Sequence, residues 1–242
     1  MFDVKKTKDE IIKWLRDYFE KNGKDCNAVI GLSGGKDSSV TAAICAQALG
    51  AQRVFGVLMP QGEQHDISYS REIAVHLGIK SFEINIKNSV DALLESVKQS
   101  GLSANRQAVI NIPARIRMTT LYAVSAILNG RVANTCNLSE DWIGYATKYG
   151  DGAGDFSPLA QLTVAEVRAL GRELGLPSKF TDKVPEDGLS GLTDEENIGF
   201  SYEILDRYIR EGVCEDLSIK EKIDKLHEIN IHKLKLMPHF YP

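Results

Sequence analysis

One stretch limits what this chain can fold into more than any other. The apolar run Ala28-Val29-Ile30-Gly31-Leu32 leads straight into Ser33-Gly34-Gly35-Lys36-Asp37-Ser38-Ser39. The run is short and bounded by turn residues, so it reads as a buried strand, and Gly34-Gly35 opens a turn into a helix over 37–49 that Gly50 closes. Backbone N–H groups exposed by glycines at a helix start form a cradle for anions, phosphate above all. The spacing matches neither the Walker A loop nor G-x-G-x-x-G, because Lys36 is followed by Asp37.

The same alternation continues downstream. Strands are expected over 54–58, 82–86 and 132–135, with helices over 66–77, 90–98 and 114–128 between them, and 136–139 reads as a polar turn. Before the glycine loop, Thr7 and Glu10 make a capping-box pattern ahead of Ile11, Trp14, Leu15 and Tyr18 at helical spacing. Residues 144–158 carry glycines and little periodicity and read as a long loop, functional or mobile by its length. Thr163 with Glu166, Thr193 with Glu196 and Ser218 with Glu221 suggest three further helix starts in a mostly helical C-terminal part. Strands alternating with helices call for an α/β fold: an open, doubly wound parallel sheet flanked by helices. At 242 residues and 43% apolar, the chain suits one domain spanning 1–242.

Composition narrows the partners. A formal charge of −4 gives no global basic field, which disfavours a nucleic-acid footprint. The four cysteines, Cys26, Cys45, Cys136 and Cys214, form no C-x-x-C pair, and no stretch approaches the ~18 apolar residues of a membrane span. A reduced, cytoplasmic protein without membrane or nucleic-acid partners is expected.

Ser33-Gly34-Gly35-Lys36-Asp37-Ser38 matches Ser-Gly-Gly-x-Asp-Ser, the signature of PP-loop N-type ATP pyrophosphatases. Within that superfamily the chain resembles ammonia-dependent NAD synthetase. Asn111-Ile112-Pro113-Ala114-Arg115-Ile116-Arg117-Met118 is similar to that family's Asn-x-x-Ala-Arg-x-Arg-Met, and Asn134-Thr135-Cys136-Asn137-Leu138-Ser139-Glu140 to its Gly-Thr-x-Asn-x-x-Glu. Most discriminating is Thr147-Lys148-Tyr149-Gly150-Asp151-Gly152-Ala153-Gly154-Asp155, with Thr193-Asp194-Glu195-Glu196 and Ile231-His232-Lys233 matching further on. A GMP synthetase ATPase unit would share the first loop but not the Lys148 to Asp155 string. A PP-loop RNA-modifying enzyme would want a basic surface and paired cysteines. A non-catalytic adenine-nucleotide sensor is the remaining alternative.

The resemblance implies ATP-dependent amidation of deamido-NAD with ammonia, giving NAD, AMP and pyrophosphate through an NAD-adenylate. It implies that ATP is held by Leu32, Ser33, Gly34, Gly35, Lys36, Asp37, Ser38, Ser39 and Thr135, and Mg2+ by Asp37 and Glu140. Arg115, Lys148, Asp155, His232 and Lys233 would contact deamido-NAD, with Asp37, Glu140, Lys148 and Asp155 in catalytic positions. Cations suit a pyrophosphate and a nicotinate carboxylate, and an acid can accept from ribose hydroxyls. Two positions depart from the family: Val164 replaces a lysine that contacts ATP phosphates, and Glu186 a small hydroxyl residue. Lys36 or Lys183 could supply the missing cation. His65 reads as an exposed loop residue, His76 as a helix-face residue and Cys136 as a partly buried thiol.

A homodimer is implied as well, and the apolar residues Ile116, Leu121, Val124, Ile127 and Leu128 exceed what one sheet face normally covers. The chain alone is expected to use free ammonia rather than glutamine. Met1-Phe2 offers no leading cysteine, the stretch before the ATP loop is short for a second domain, and no cysteine sits in a nucleophile motif.

Overall fold

The computed structural model describes residues 2–182 and 193–240. Its elements are α1 (Val4–Asn22), β1 (Asn27–Gly31), α2 (Lys36–Leu49), β2 (Val54–Leu58), α3 (Ile67–His76), β3 (Lys80–Glu83), α4 (Lys87–Gln99), α5 (Arg106–Ile127), β4 (Gly130–Val132), α6 (Leu138–Ile143) and α7 (Val164–Glu173). Four helices follow: α8 (Ser178–Thr181), α9 (Asp194–Ile198), α10 (Tyr202–Glu211) and α11 (Leu217–Asn230).

All four strands run parallel in the order β3-β2-β1-β4. Alternation along β1 sends Ala28 and Ile30 to one core with Leu15 and Phe19 of α1 and Val40 and Ile44 of α2. Val29 points the other way, onto Met118, Leu121 and Val124 of α5. The sheet is therefore covered on both faces, the condition a parallel sheet needs. Because β2 and β3 lie on one side of β1 and β4 on the other, the winding reverses between β1 and β4. The crevice outside the carboxyl ends of the strands at such a reversal is where open α/β sheets bind ligands. A separate apolar cluster, with Ile143, Val164, Phe200, Tyr202, Leu205 and Ile223 at its centre, joins α6, α7, α10 and α11 beside that crevice.

The doubly wound parallel fold and its helical C-terminal part are as the sequence leads one to expect, with local shifts that have physical causes. α1 begins at Val4, not near Thr7. Asp3 caps it by accepting from Lys6 N at 3.1 Å, and Thr7 N already donates to Asp3 O, so Thr7 has no start to cap. β3 covers Lys80–Glu83 rather than 82–86, in register with Phe55–Leu58 of β2. Past Glu83 only isolated bonds continue, Ile84 N to Leu58 O and Ile86 N to Pro60 O, and Pro60 has no N–H to return. α5 starts at Arg106, two turns ahead of the expected Ala114, because Asn105 caps it and the helix runs through Pro113. Residues 136–139 are no plain turn. Asn137 and Glu140 form a reciprocal capping box that starts α6. The boxes at Thr163/Glu166 and Thr193/Glu196 are present, whereas α11 is capped by Asp216 instead of Ser218. No helix among the described residues is long and apolar enough to cross a membrane.

Candidate active site

The turn after β1 closes on its own hydroxyls. Leu32 N donates to Val57 O at 2.9 Å, and its side chain lies so close over Gly56 that a Cβ there would stand 2.3 Å from Leu32 Cδ1. Ser33 Oγ and Ser38 Oγ are 3.0 Å apart, Gly35 N donates to Ser33 Oγ at 3.3 Å, and Ser38 Oγ bonds Gly35 O at 3.2 Å. Gly34 has φ +76°, and a side chain there would strike Tyr69 Cβ at 2.6 Å. Glycine is thus required for two independent reasons. No side chain caps α2, so the N–H groups of its first turn stay open to an anion. Ser39 is fully buried, and its Oγ has no hydrogen-bond partner.

Across the crevice, β4 and its continuation bring in Asn137 and Glu140. Asn137 Nδ2 donates to Asp37 Oδ1 at 3.0 Å, linking the first loop to the second across a separation of 100 residues. Lys36 lies between the two acids: its Nζ is 2.7 Å from Asp37 Oδ2 and 3.6 Å from Glu140 Oε1, with its side chain 1% exposed. Burial works against that ammonium, yet the Asp37 and Glu140 carboxylates outweigh it and hold its pKa above the ordinary value. Burial and the neighbouring Asp37 charge push the Glu140 carboxyl up, while Lys36 and the Asn137 N–H pull it down. Two carboxylates sharing one buried cation are hard oxygen donors already arranged around positive charge, so they fit a magnesium ion completed by phosphate oxygens. No cluster of three or more His, Cys, Asp or Glu among the described residues offers an alternative metal cage. The Tyr202 ring lies 5.8 Å from Lys36 Nζ, and burial with the Glu140, Asp194 and Asp37 charges raises its phenol pKa.

The second group of expected residues is arranged differently. Lys148 Nζ donates to His232 O at 2.7 Å, and Arg115 Nε to Lys148 O at 3.3 Å. Lys233 Nζ bonds Gly144 O and Ala146 O at 2.7 and 3.1 Å, and the His232 ring meets Ile229 O at 3.0 Å. Together these bonds tie residues 144–148 to the segment after α11. Asp155 is held elsewhere: its Oδ2 accepts from Val132 N at 2.7 Å and its Oδ1 from Tyr122 OH at 3.1 Å. Burial and that carboxylate push the Tyr122 phenol up to about 12. Thr135 is half-buried just past β4. Lys183 and Glu186 lie outside the described residues. Val164 is buried in the apolar cluster beside the crevice, His65 is exposed, and Cys136 is buried with its Sγ near Asp151 O at 3.3 Å.

Asn137, Tyr122 and Tyr202 were not singled out from the sequence. The Asn137-x-x-Glu140 spacing is a capping signal that could have marked Asn137. Nothing local could have placed Tyr202, which arrives from α10.

A parallel sheet with a Ser-Gly-Gly-x-Asp-Ser cradle at its reversal point and a carboxylate pair beside it defines a PP-loop nucleotide-binding protein. The NAD synthase family matches residues 7–240. The NH(3)-dependent NAD(+) synthetase of Pyrococcus furiosus is 35% identical over 94% of this chain and 93% of its own length. Among solved structures, NMN synthetase from Francisella tularensis superposes with a TM-score of 0.90 at 32% identity, covering 99% of this chain and 100% of that one. An NH3-dependent NAD synthetase from Campylobacter jejuni superposes at 0.80 with 30% identity, covering 100% of both chains. The chain belongs to the NAD synthase family.

Proposed function

We propose that this chain is a C–N-forming ligase that amidates deamido-NAD with ammonia, splitting ATP to AMP and pyrophosphate through an NAD-adenylate. One observation carries the reading: within a chain that matches the family over 7–240, the glycine cradle after β1 and Glu140 after β4 meet at the sheet's reversal point, bridged by the Asn137–Asp37 bond. The open N–H groups of α2, with Ser33, Gly34, Gly35, Ser38 and Ser39, hold the pyrophosphate part of ATP. Leu32 and Thr135 line the nucleotide on either side. Asp37 and Glu140 would hold Mg2+, which would supply positive charge against the phosphates. The nicotinate carboxylate attacks the α-phosphorus and pyrophosphate leaves.

Arg115 and Lys148 draw the anionic substrate in, and Asp155, His232 and Lys233 shape its seat. Residues 143–158 close over the adenylate and keep water off it. Ammonia then displaces AMP. No covalent nucleophile is needed, so the rate comes from orientation and preorganised charge. Residues 1–242 work as one unit in the cytoplasm. A homodimer is part of this reading, supported by the exposed Val109 (41%), Tyr122 (39%) and Ile127 (81%) on α5, whose other face covers the sheet.

A second substrate has a specific observation behind it. The superposition on NMN synthetase, at 0.90, is higher than on the Campylobacter NAD synthetase, at 0.80. Nicotinate mononucleotide presents the same carboxylate to ATP, so the chemistry is unchanged and only the seat for the adenylyl half differs. Steady-state rates with each substrate, at fixed ATP, magnesium and ammonium, decide between them. A kcat/KM at least about tenfold higher for deamido-NAD, worth ~1.4 kcal/mol of transition-state binding, upholds the first reading, and the reverse ratio replaces it with the second.

A further inference from the structure

The most deeply buried charge in the described structure belongs to a residue of the nucleotide loop itself. Lys36 sits in the first turn of α2, one residue before Asp37 and one after Gly35, so its stem is rooted at the rim of the anion cradle. Its ammonium nevertheless points away from solvent, within 2.7 Å of Asp37 Oδ2 and 3.6 Å of Glu140 Oε1. That is the position a divalent cation held by those two carboxylates would take. A doubly charged ion and an ammonium in contact with the same two oxygens repel strongly in a buried site, so the two compete for it. The lysine has another place to go: four methylenes let its ammonium turn from the carboxylates toward the cradle without moving α2.

Two neighbouring features supply a reason for the turn. Val164, at the start of α7, is 1% exposed and brings no charge to the crevice. Farther along the same helix, the Arg168 guanidinium acts on Lys36 as a like charge, and its buried Nε has no hydrogen-bond partner. An ammonium released from Asp37 and Glu140 therefore loses its counter-ions while the like charge of Arg168 stays close, and phosphate oxygens at the cradle are the negative charge left to it.

We propose that Lys36 and the divalent cation exchange at the Asp37–Glu140 pair, and that the displaced ammonium then contacts the phosphates of bound nucleotide, doing the work that Val164 cannot. The inference rests on the ATP-splitting function proposed above and adds to it a catalytic role for Lys36. Paired with Asp37 and Glu140, Lys36 is an internal counter-ion that competes with metal; turned to the cradle, it is a phosphate ligand. Metal and nucleotide then bind cooperatively, since each favours the arrangement the other needs.

Calorimetric titration of the whole chain tests this without turnover, using Mn2+ alone and then α,β-methylene-ATP with Mn2+. Lys36→Met is expected to bind Mn2+ alone at least tenfold more tightly than the parent, because the competitor is gone, and to bind the nucleotide analogue at least tenfold more weakly. Equal or weaker Mn2+ binding by Lys36→Met, or unchanged binding of the analogue, overturns the exchange. A parent chain that binds no analogue at all overturns the ATP reading instead, which keeps the two failures distinct. Should Lys36→Met not fold, the parent labelled with 15Nζ-lysine carries the same test. The Lys36 ammonium signal is expected to shift on Mg2+ addition and to couple to 31P in the analogue complex, and a signal unmoved by both overturns the proposal.

Discussion

The two ends of the crevice handle charge in opposite ways. At the nucleotide end, Lys36, Asp37, Glu140 and Asn137 satisfy one another in a nearly dry cluster built from two loops distant in sequence. At the other end, Lys148, Lys233 and Arg115 spend their donors on backbone carbonyls of residues 144–148 and 232, near the surface. The first arrangement is preorganised in its carboxylates: Asn137 holds Asp37 and Glu140 in place before any ligand arrives, and the Lys36 ammonium alone has to turn. The second is a set of ties that must loosen if those cations are to meet an anionic substrate. Substitutions at the first end should therefore act on turnover, and at the second on substrate affinity.

The largest effect is expected where the cluster loses a carboxylate charge. Asp37→Asn and Glu140→Gln should each lower kcat by about a hundredfold or more, ~3 kcal/mol, as when one preorganised electrostatic group is removed. Far-ultraviolet circular dichroism should stay that of the parent. Near-normal turnover at saturating magnesium in either variant would break the comparison at its stronger end.

At the weaker end, Lys148→Ala and Lys233→Ala should raise KM for the pyridine nucleotide by about tenfold, the ~1.4 kcal/mol of one charge-assisted contact, with kcat within a few-fold of the parent. Steady-state kinetics separates the two constants. A loss confined to kcat would mean that these lysines belong with the preorganised group.

The cysteines sharpen the comparison from outside the site. Burial pushes the Cys45 thiol up to about 12 and the Cys136 thiol well above its ordinary value. A thiol with a raised pKa stays protonated, and therefore unreactive, until pH climbs through the raised value. At pH 8 a thiol-specific chromogenic reagent should leave Cys45 and Cys136 unmodified in the folded chain. The purified chain should form product from ammonium but not from ammonia-free glutamine, and equal rates with both donors would show a glutaminase activity that these buried thiols do not account for.

The smallest effect is a matter of caps. Asp3→Ala should destabilise the fold by about 1 kcal/mol, the usual value of a lost N-cap, whereas Thr7→Ala should stay within ~0.5 kcal/mol. Urea unfolding midpoints distinguish them, and a larger loss at Thr7 would restore the later helix start.

That last pair shows where the sequence was legible and where it was not. The β1-loop-α2 unit could be read because its signal is local: a short apolar run, two glycines and a helix stop at Gly50. Thr7/Glu10 and Ser218/Glu221 carry the right residue types for a cap, but Asp3 and Asp216 lie upstream and take the first free N–H groups. The helix expected over 114–128 starts at Arg106 instead, because Asn105 caps it upstream and the helix runs on through Pro113. For the site, family resemblance supplied residue identities, and it could not supply partners. That Lys36 faces Asp37 and Glu140, that Asn137 bridges the loops, and that Tyr202 covers them all depend on contacts between distant segments. Such contacts leave no trace in local spacing.

The central claim is that this crevice splits ATP between its α and β phosphates to activate a pyridine-nucleotide carboxylate. Anion-exchange analysis of the nucleotides formed from ATP, magnesium, ammonium and deamido-NAD or nicotinate mononucleotide tests it most directly. The account predicts AMP and pyrophosphate in equal amounts, matched one for one by amidated product, and none of the three when the carboxylate substrate is left out. ADP and orthophosphate as the products, or ATP consumption that ignores both carboxylate substrates, would contradict it.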